Sequence, residues 1–142
     1  MRRAWQRWRE LTIKERLILL EALLLMPLAG LLLRLLRYQK VLHGLQRLTP
    51  LGRRQPDEVA AEELKRVGEL VNIAAWRGVY TATCLRRSLV LWWLLRRRGF
   101  DSQVRIGIRK NGGEFTSHAW VEWEGVVIND TADIADLYIV VM

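Results

Sequence analysis

Three side chains in the second half of the chain are of the types that acyl transfer needs. Cys84 supplies a thiol, His118 an imidazole and Asp130 a carboxylate. In such a set the thiolate attacks a carbonyl carbon, the imidazole takes up and returns the proton, and the carboxylate fixes the imidazole tautomer. Cys84 follows Thr81-Ala82-Thr83, and either threonine can cap a helix that runs to Arg98 and stops at Gly99. A cysteine in the first turn of a helix meets unpaired backbone N–H groups and the positive end of the helix dipole, both of which favour the thiolate. A buried, inert cysteine is the commoner use of this residue type, so the chemical reading depends on what His118 and Asp130 do.

Those two residues lie where the sequence changes period. Leu89 to Leu95 is apolar on all sides, which marks a helix buried on most of its surface. After Gly99, Val104, Ile106 and Ile108 alternate with Arg105, Gly107 and Arg109, the pattern of a strand. Asn111-Gly112-Gly113 is a turn signal, Phe115 to Glu122 reads as a second strand, Val126 to Asp130 as a third, and Leu137 to Val141 as a short closing strand. If Trp123-Glu124-Gly125 is a three-residue loop with Gly125 left-handed, Glu122 opposes Val126, Trp120 opposes Ile128 and His118 opposes Asp130. Directly opposed side chains share a face, with Cβ atoms about 5 Å apart. A two-residue loop would put His118 and Asp130 on opposite faces. The glycine position favours the first arrangement.

The elements ahead of Cys84 are helical. Thr12-Ile13-Lys14-Glu15 reads as a capping box that opens a helix to about Arg37. Ala22 to Leu33 is uninterrupted apolar sequence containing Pro27 and flanked by Glu21 and Arg34. As a helix it spans only about 18 Å, short of the ~30 Å hydrocarbon core of a bilayer. It also lacks the layout of a signal peptide. The expectation is a helix packed on the domain or on a partner. Peripheral contact with a membrane through Trp5, Trp8 and the early arginines is the second reading. Thr49 to Pro56 is a turn-rich basic linker, which divides the chain into a Leu-rich helical arm (1–48), a linker (49–56) and a second unit (57–142). Pro56-Asp57-Glu58 opens a helix with Ala60, Leu64, Val67 and Val71 as its apolar stripe and Glu62–Arg66 as an outer i,i+4 pair. His43, before the linker, has no neighbour to work with and reads as a solvated or structural histidine.

Composition narrows the classes. With 142 residues, 51% hydrophobic, and seven tryptophans, the chain is long and apolar enough for one real core. One cysteine excludes an internal disulfide and fits a reducing compartment, so a cytoplasmic protein is expected. The net charge of +8 comes with no helix-turn-helix, zinc-ligand or RNP-type pattern, and Arg96, Arg97 and Arg98 suit the last turn of a helix, so nucleic acid is not expected. No metal and no cofactor is expected either. The class is α+β, with helices first and an antiparallel sheet after them.

The runs Cys84-Leu85-Arg86-Arg87-Ser88-Leu89, Ile106-Gly107-Ile108-Arg109-Lys110, His118-Ala119-Trp120-Val121-Glu122 and Asn129-Asp130 resemble the transglutaminase-like lasso peptide maturation proteases. Glu15-Arg16-Leu17 through Leu36 also resembles that family's N-terminal helix. The resemblance implies a transglutaminase-like (papain-like) cysteine-protease unit, with a buried Cys-bearing helix packed on a small antiparallel sheet. It implies a peptidase that removes the leader of a ribosomally made precursor peptide through a Cys84–His118–Asp130 triad. The arm is too apolar and too poor in strands to be the winged-helix leader-binding domain of the fused members. The split form is therefore implied, with a separate PqqD-like recognition protein and an asparagine synthetase-like cyclase downstream. The Cys84 backbone N–H is a candidate oxyanion donor; no Gln or Asn just upstream supplies a second. The residues themselves leave open another Cys-dependent amidase or acyltransferase, or a non-enzymatic membrane-associated adaptor worked by its Leu-rich arm.

Overall fold

The computed structural model describes residues 2–49, 58–77 and 83–141. Six helices and four strands run in the order α1 (Arg2–Glu10), α2 (Ile13–Leu35), α3 (Tyr38–Leu48), α4 (Glu58–Arg77), α5 (Cys84–Arg97), β1 (Gln103–Asn111), β2 (Glu114–Trp123), β3 (Val126–Val127), α6 (Ile134–Leu137) and β4 (Ile139–Val140). The α+β expectation holds. The linker expected at 49–56 lies outside the described residues beyond Thr49.

The capping box at the start of α2 is formed in full. Thr12 Oγ1 accepts from the Glu15 amide and Glu15 Oε2 accepts from the Thr12 amide, each at 3.2 Å. The helix runs through Pro27, which lies on the exposed side, and ends at Leu35 rather than Arg37. The chain then turns into α3, where the sequence showed only an apolar-basic stretch.

The arm and the second unit share one hydrophobic core. Ile18, Leu19, Ala22, Met26 and Ala29 of α2 and Val41 and Leu45 of α3 are buried together with Leu64, Val67, Leu70 and Val71 of α4 and Leu89 to Trp92, Leu94 and Leu95 of α5. Polar clamps follow the same seams. Arg66 of α4 bonds Glu15 at 2.8 Å and Glu69 at 2.8 Å, which replaces the expected Glu62–Arg66 pair. Glu21 takes Arg97 and Arg98 of α5 at 3.0 and 3.2 Å. Thr49, at the end of the arm, accepts from Trp93 Nε1 at 3.1 Å and, through its carbonyl, from Arg96 Nε at 2.7 Å. The arm is thus a wall of the second unit's core.

The sheet is antiparallel throughout, with strand order β3-β2-β1-β4. Gly112 and Gly113 both have positive φ and make the two-residue turn between β1 and β2, so Gly107 pairs with His118 and Arg105 with Trp120. Ala119, Val121 and Trp123 of β2 face the core under α5, where Trp123 meets Phe100 edge-on at 5.7 Å. The closing strand is shorter than expected, because Ile134 to Leu137 forms α6.

Two expectations follow. Leu91 is fully buried and Leu24 is 76% exposed. In urea denaturation Leu91→Ala should cost about 2–5 kcal/mol, and Leu24→Ala should stay within about 0.5 kcal/mol. The hydrogen bond from Arg66 holds the Glu15 carboxyl below its usual range. A lowered folded pKa gives stability that is present above the unfolded value, about 4.3, and is lost as pH falls through the folded one. Arg66→Ala should therefore lower stability at pH 7 by at most about 1 kcal/mol, the pair being partly exposed, with the difference vanishing in acid.

Candidate active site

Cys84 is the first residue of α5. Thr83 is its N-cap, with Oγ1 accepting from the Arg86 amide at 3.3 Å. The Thr83 carbonyl accepts from Arg87. Among the described residues nothing accepts from the Cys84 or Leu85 amide, so two N–H donors point off the helix end beside a half-buried thiol. Thr81, the other cap named from sequence, lies outside the described residues.

His118, on β2, and Asp130, just past β3, are in direct contact: Nε2 lies 2.6 Å from Oδ2. A carboxylate only accepts, so His118 carries its proton on Nε2 and presents the Nδ1 lone pair on the other side. Asp130 is held further by the Thr131 amide, 2.8 Å from Oδ1, and by Arg87 Nη2, 3.8 Å from Oδ2. Arg87 and Ser88 lie three and four residues after Cys84, so all three share one face of α5. Ser88 Oγ accepts from Asn129 at 3.3 Å. The helix face that begins with Cys84 therefore rests on the Asn129-Asp130 segment. No hydrogen bond joins the Cys84 thiol to His118 among the described residues; in unliganded sites such contacts are often looser than in complexes.

The route to the His118–Asp130 contact differs from the expected one. The β2–β3 loop has two residues, Glu124 and Gly125, both at positive φ, and Glu122 pairs with Val127. In that register Ile128 faces Val121 rather than the expected Trp120, and its amide bonds the Val121 carbonyl at 2.9 Å. A continued ladder would send His118 and Asp130 to opposite faces. It does not continue. The Val121 amide, which would bond the Ile128 carbonyl in a regular pair, bonds Asn129 Oδ1 instead at 2.9 Å. The strand ends there, the chain swings out, and Asp130 comes round to His118. The loop reading was wrong, and the pairing it was meant to deliver is reached by a break in the strand.

The rings of His118, Tyr138 and Trp120 cluster in a triangle: His118 is 5.5 Å from Tyr138 at 29° and 6.1 Å from Trp120 at 26°, and Tyr138 and Trp120 are 6.1 Å apart. Gly107, directly across from His118, makes this possible. A Cβ there would lie 2.6 Å from Tyr138 Cβ and 2.9 Å from Trp120 Cη2. Trp120 is fixed in turn by Nε1 donating to Glu122 at 2.9 Å, and Glu122 is bonded by Arg105 at 3.3 Å. Sequence reasoning gave no role to Tyr138, Gly107 or Arg87. A glycine inside an alternating strand was the available signal for a close approach. His43 is exposed on α3, away from these contacts. Among the described residues no cluster of His, Cys, Asp and Glu could hold a metal ion.

A family model described as the transglutaminase-like superfamily matches residues 26–142, from the middle of α2 to the end of the chain. The microcin J25-processing protein McjB of Escherichia coli is 38% identical over 58 residues, which are 41% of this chain and 27% of that protein. The similarity thus spans about a quarter of that relative's length. No solved structure gives a significant match. The family match takes in the cysteine-led helix, the sheet it covers and the His118–Asp130 contact, and on that span the chain belongs to the transglutaminase-like superfamily.

Proposed function

We propose that this protein is a cysteine peptidase that removes the leader from a lasso precursor peptide before macrolactam formation, with Cys84 as nucleophile, His118 as base and Asp130 as its orienter. The observation that carries the reading is the 2.6 Å His118–Asp130 contact, set against the helix face that Cys84 begins. The similarity to a protein named for microcin J25 processing supports the substrate class.

The thiol proton of Cys84 passes to His118 Nδ1, and the thiolate adds to the carbonyl carbon of the scissile peptide bond. The Cys84 amide, with the neighbouring Leu85 amide free beside it, donates to the oxygen that gains charge. The C–N bond breaks, the imidazolium gives its proton to the leaving amine, and a thioester to the leader remains. His118 then takes a proton from water, the hydroxyl adds to the thioester, and collapse returns the thiol and frees the leader carboxylate. Throughout, Asp130 holds the Nε2 proton and stabilises the imidazolium. The chain works as the split form in the cytoplasm. A PqqD-like protein brings the leader, raising its local concentration into about the millimolar range, and the asparagine synthetase-like cyclase takes the freed core peptide.

The test is mass spectrometry of a precursor peptide incubated with this protein and a leader-binding partner. Cys84→Ala and His118→Ala should lower the cleavage rate by about 10³-fold or more and Asp130→Asn by about 10²-fold or more, with folding kept. Unchanged cleavage by Cys84→Ala would sink the proposal. A substrate-free readout is alkylation of the single thiol by iodoacetamide, which should slow by roughly tenfold in His118→Ala.

Gly107→Ala should act through the ring that backs His118. Displacing Tyr138 should cost about 1–3 kcal/mol of stability, as overpacking does, and should move the His118 ring resonances in NMR, whereas an alanine at Gly44, where a Cβ would meet nothing within 4 Å, should leave them in place.

A further inference from the structure

The core-facing side of α2 accounts for half of its apolar residues. Directly opposite lies a second apolar face. Ile13, Leu17, Leu20, Leu24, Leu28, Leu31 and Leu35 recur at intervals of three and four, so they form one stripe along the helix. Each is between 43% and 76% exposed. Over 23 residues the stripe is about 34 Å long. Continuous apolar surface of this extent marks a contact site on a soluble domain.

The charges around the stripe say what covers it. Acidic groups on its flanks are consumed: Glu15 by Arg66, Glu21 by Arg97 and Arg98, and Glu63 by Lys14. Cations at both ends are not. Arg7 and Arg9 precede the stripe, Arg34, Arg37 and Lys40 follow it, and none of the five has an acidic partner among the described residues. Glu10 is the one acidic residue beside them without a partner among the described residues. A second copy placed on this face, parallel or antiparallel, would bring cationic ends together. A sheet of negative charge over an apolar layer would satisfy both the leucines and the arginines.

We propose that the outer face of α2 is a docking surface for an anionic lipid bilayer, with the helix lying in the plane of the headgroups. The helix is long and apolar enough to cross a membrane. Its inner face is committed to the core and its two glutamates to α4 and α5, so it rests on the surface with the catalytic unit above it.

The experiment is co-sedimentation of the full chain with vesicles of phosphatidylcholine alone and of about equal parts phosphatidylglycerol and phosphatidylcholine. Binding to the anionic vesicles should be at least about tenfold tighter than to the neutral ones. Leu24→Glu with Leu31→Glu should abolish it while the circular dichroism melt is kept. Arg34→Gln and Arg37→Gln, which leave the stripe intact, should each weaken it by about fivefold. Absence of binding to anionic vesicles, or equal binding to both kinds, overturns the proposal. So does a dimer in solution that Leu24→Glu splits without any vesicle binding, which would assign the face to a second copy. Resistance to alkaline carbonate after binding would make α2 a spanning helix and overturn it too.

Discussion

One backbone amide, that of Val121, must find an acceptor in a place water does not reach, and the way it does so decides where the acid of the site goes. A regular strand would offer the Ile128 carbonyl. The structure offers the Asn129 side chain, which is buried, bonded to Ser88 on α5, and followed at once by Asp130. An unpaired buried amide costs about 1–3 kcal/mol. The substitution of side chain for main chain is therefore what lets β3 stop after two residues without penalty. The same side chain, donating through Nδ2 to Ser88, ties the sheet to the cysteine helix, so the break in the strand and the seat of α5 are set by one residue.

Around that junction the site is built by close approach rather than by many polar contacts. Gly107 gives up its side chain so that Tyr138, brought back by the short β4, can lie against His118 and Trp120. Arg109 in turn sits over Tyr138 at 5.9 Å. The imidazole has an acid at one edge and the clustered Tyr138 and Trp120 rings beside it, leaving the Nδ1 edge for chemistry.

Much of this was readable from residue types, and what was not has a physical cause. The capping box, the all-round apolar α5, the two-period of β1 and β2 and the α+β class rest on local rules, and the structure repeats them. The β2–β3 turn was misread because Glu124 adopts φ +49°, a conformation that a residue with a Cβ resists, so Gly125 alone looked left-handed. The end of β3 differs from the expectation because Val126, Val127 and Ile128 are β-branched residues that favour a strand, and no periodicity reports a side chain standing in for a carbonyl. Arg66 chose Glu15 and Glu69 over Glu62 because α2 packs beside α4, a tertiary fact that a helical-wheel argument does not contain. Cys84, His118 and Asp130 were visible as types in an order. Two of them touch, and the third heads the helix that carries Arg87 to Asp130.

The two-sided character of α2 couples the outside of the molecule to its chemistry. Its inner leucines and alanines lie in the same core layer as the residues of α5 behind Cys84, so the arm cannot detach while the cysteine helix stays packed. Any ligand that recognises the folded outer face is then linked to the folding equilibrium of the whole chain. At a hundredfold excess over its dissociation constant it adds about 2.7 kcal/mol to the stability of the folded state. Such a ligand need not approach His118 to raise the fraction of molecules in which its contact with Asp130 exists.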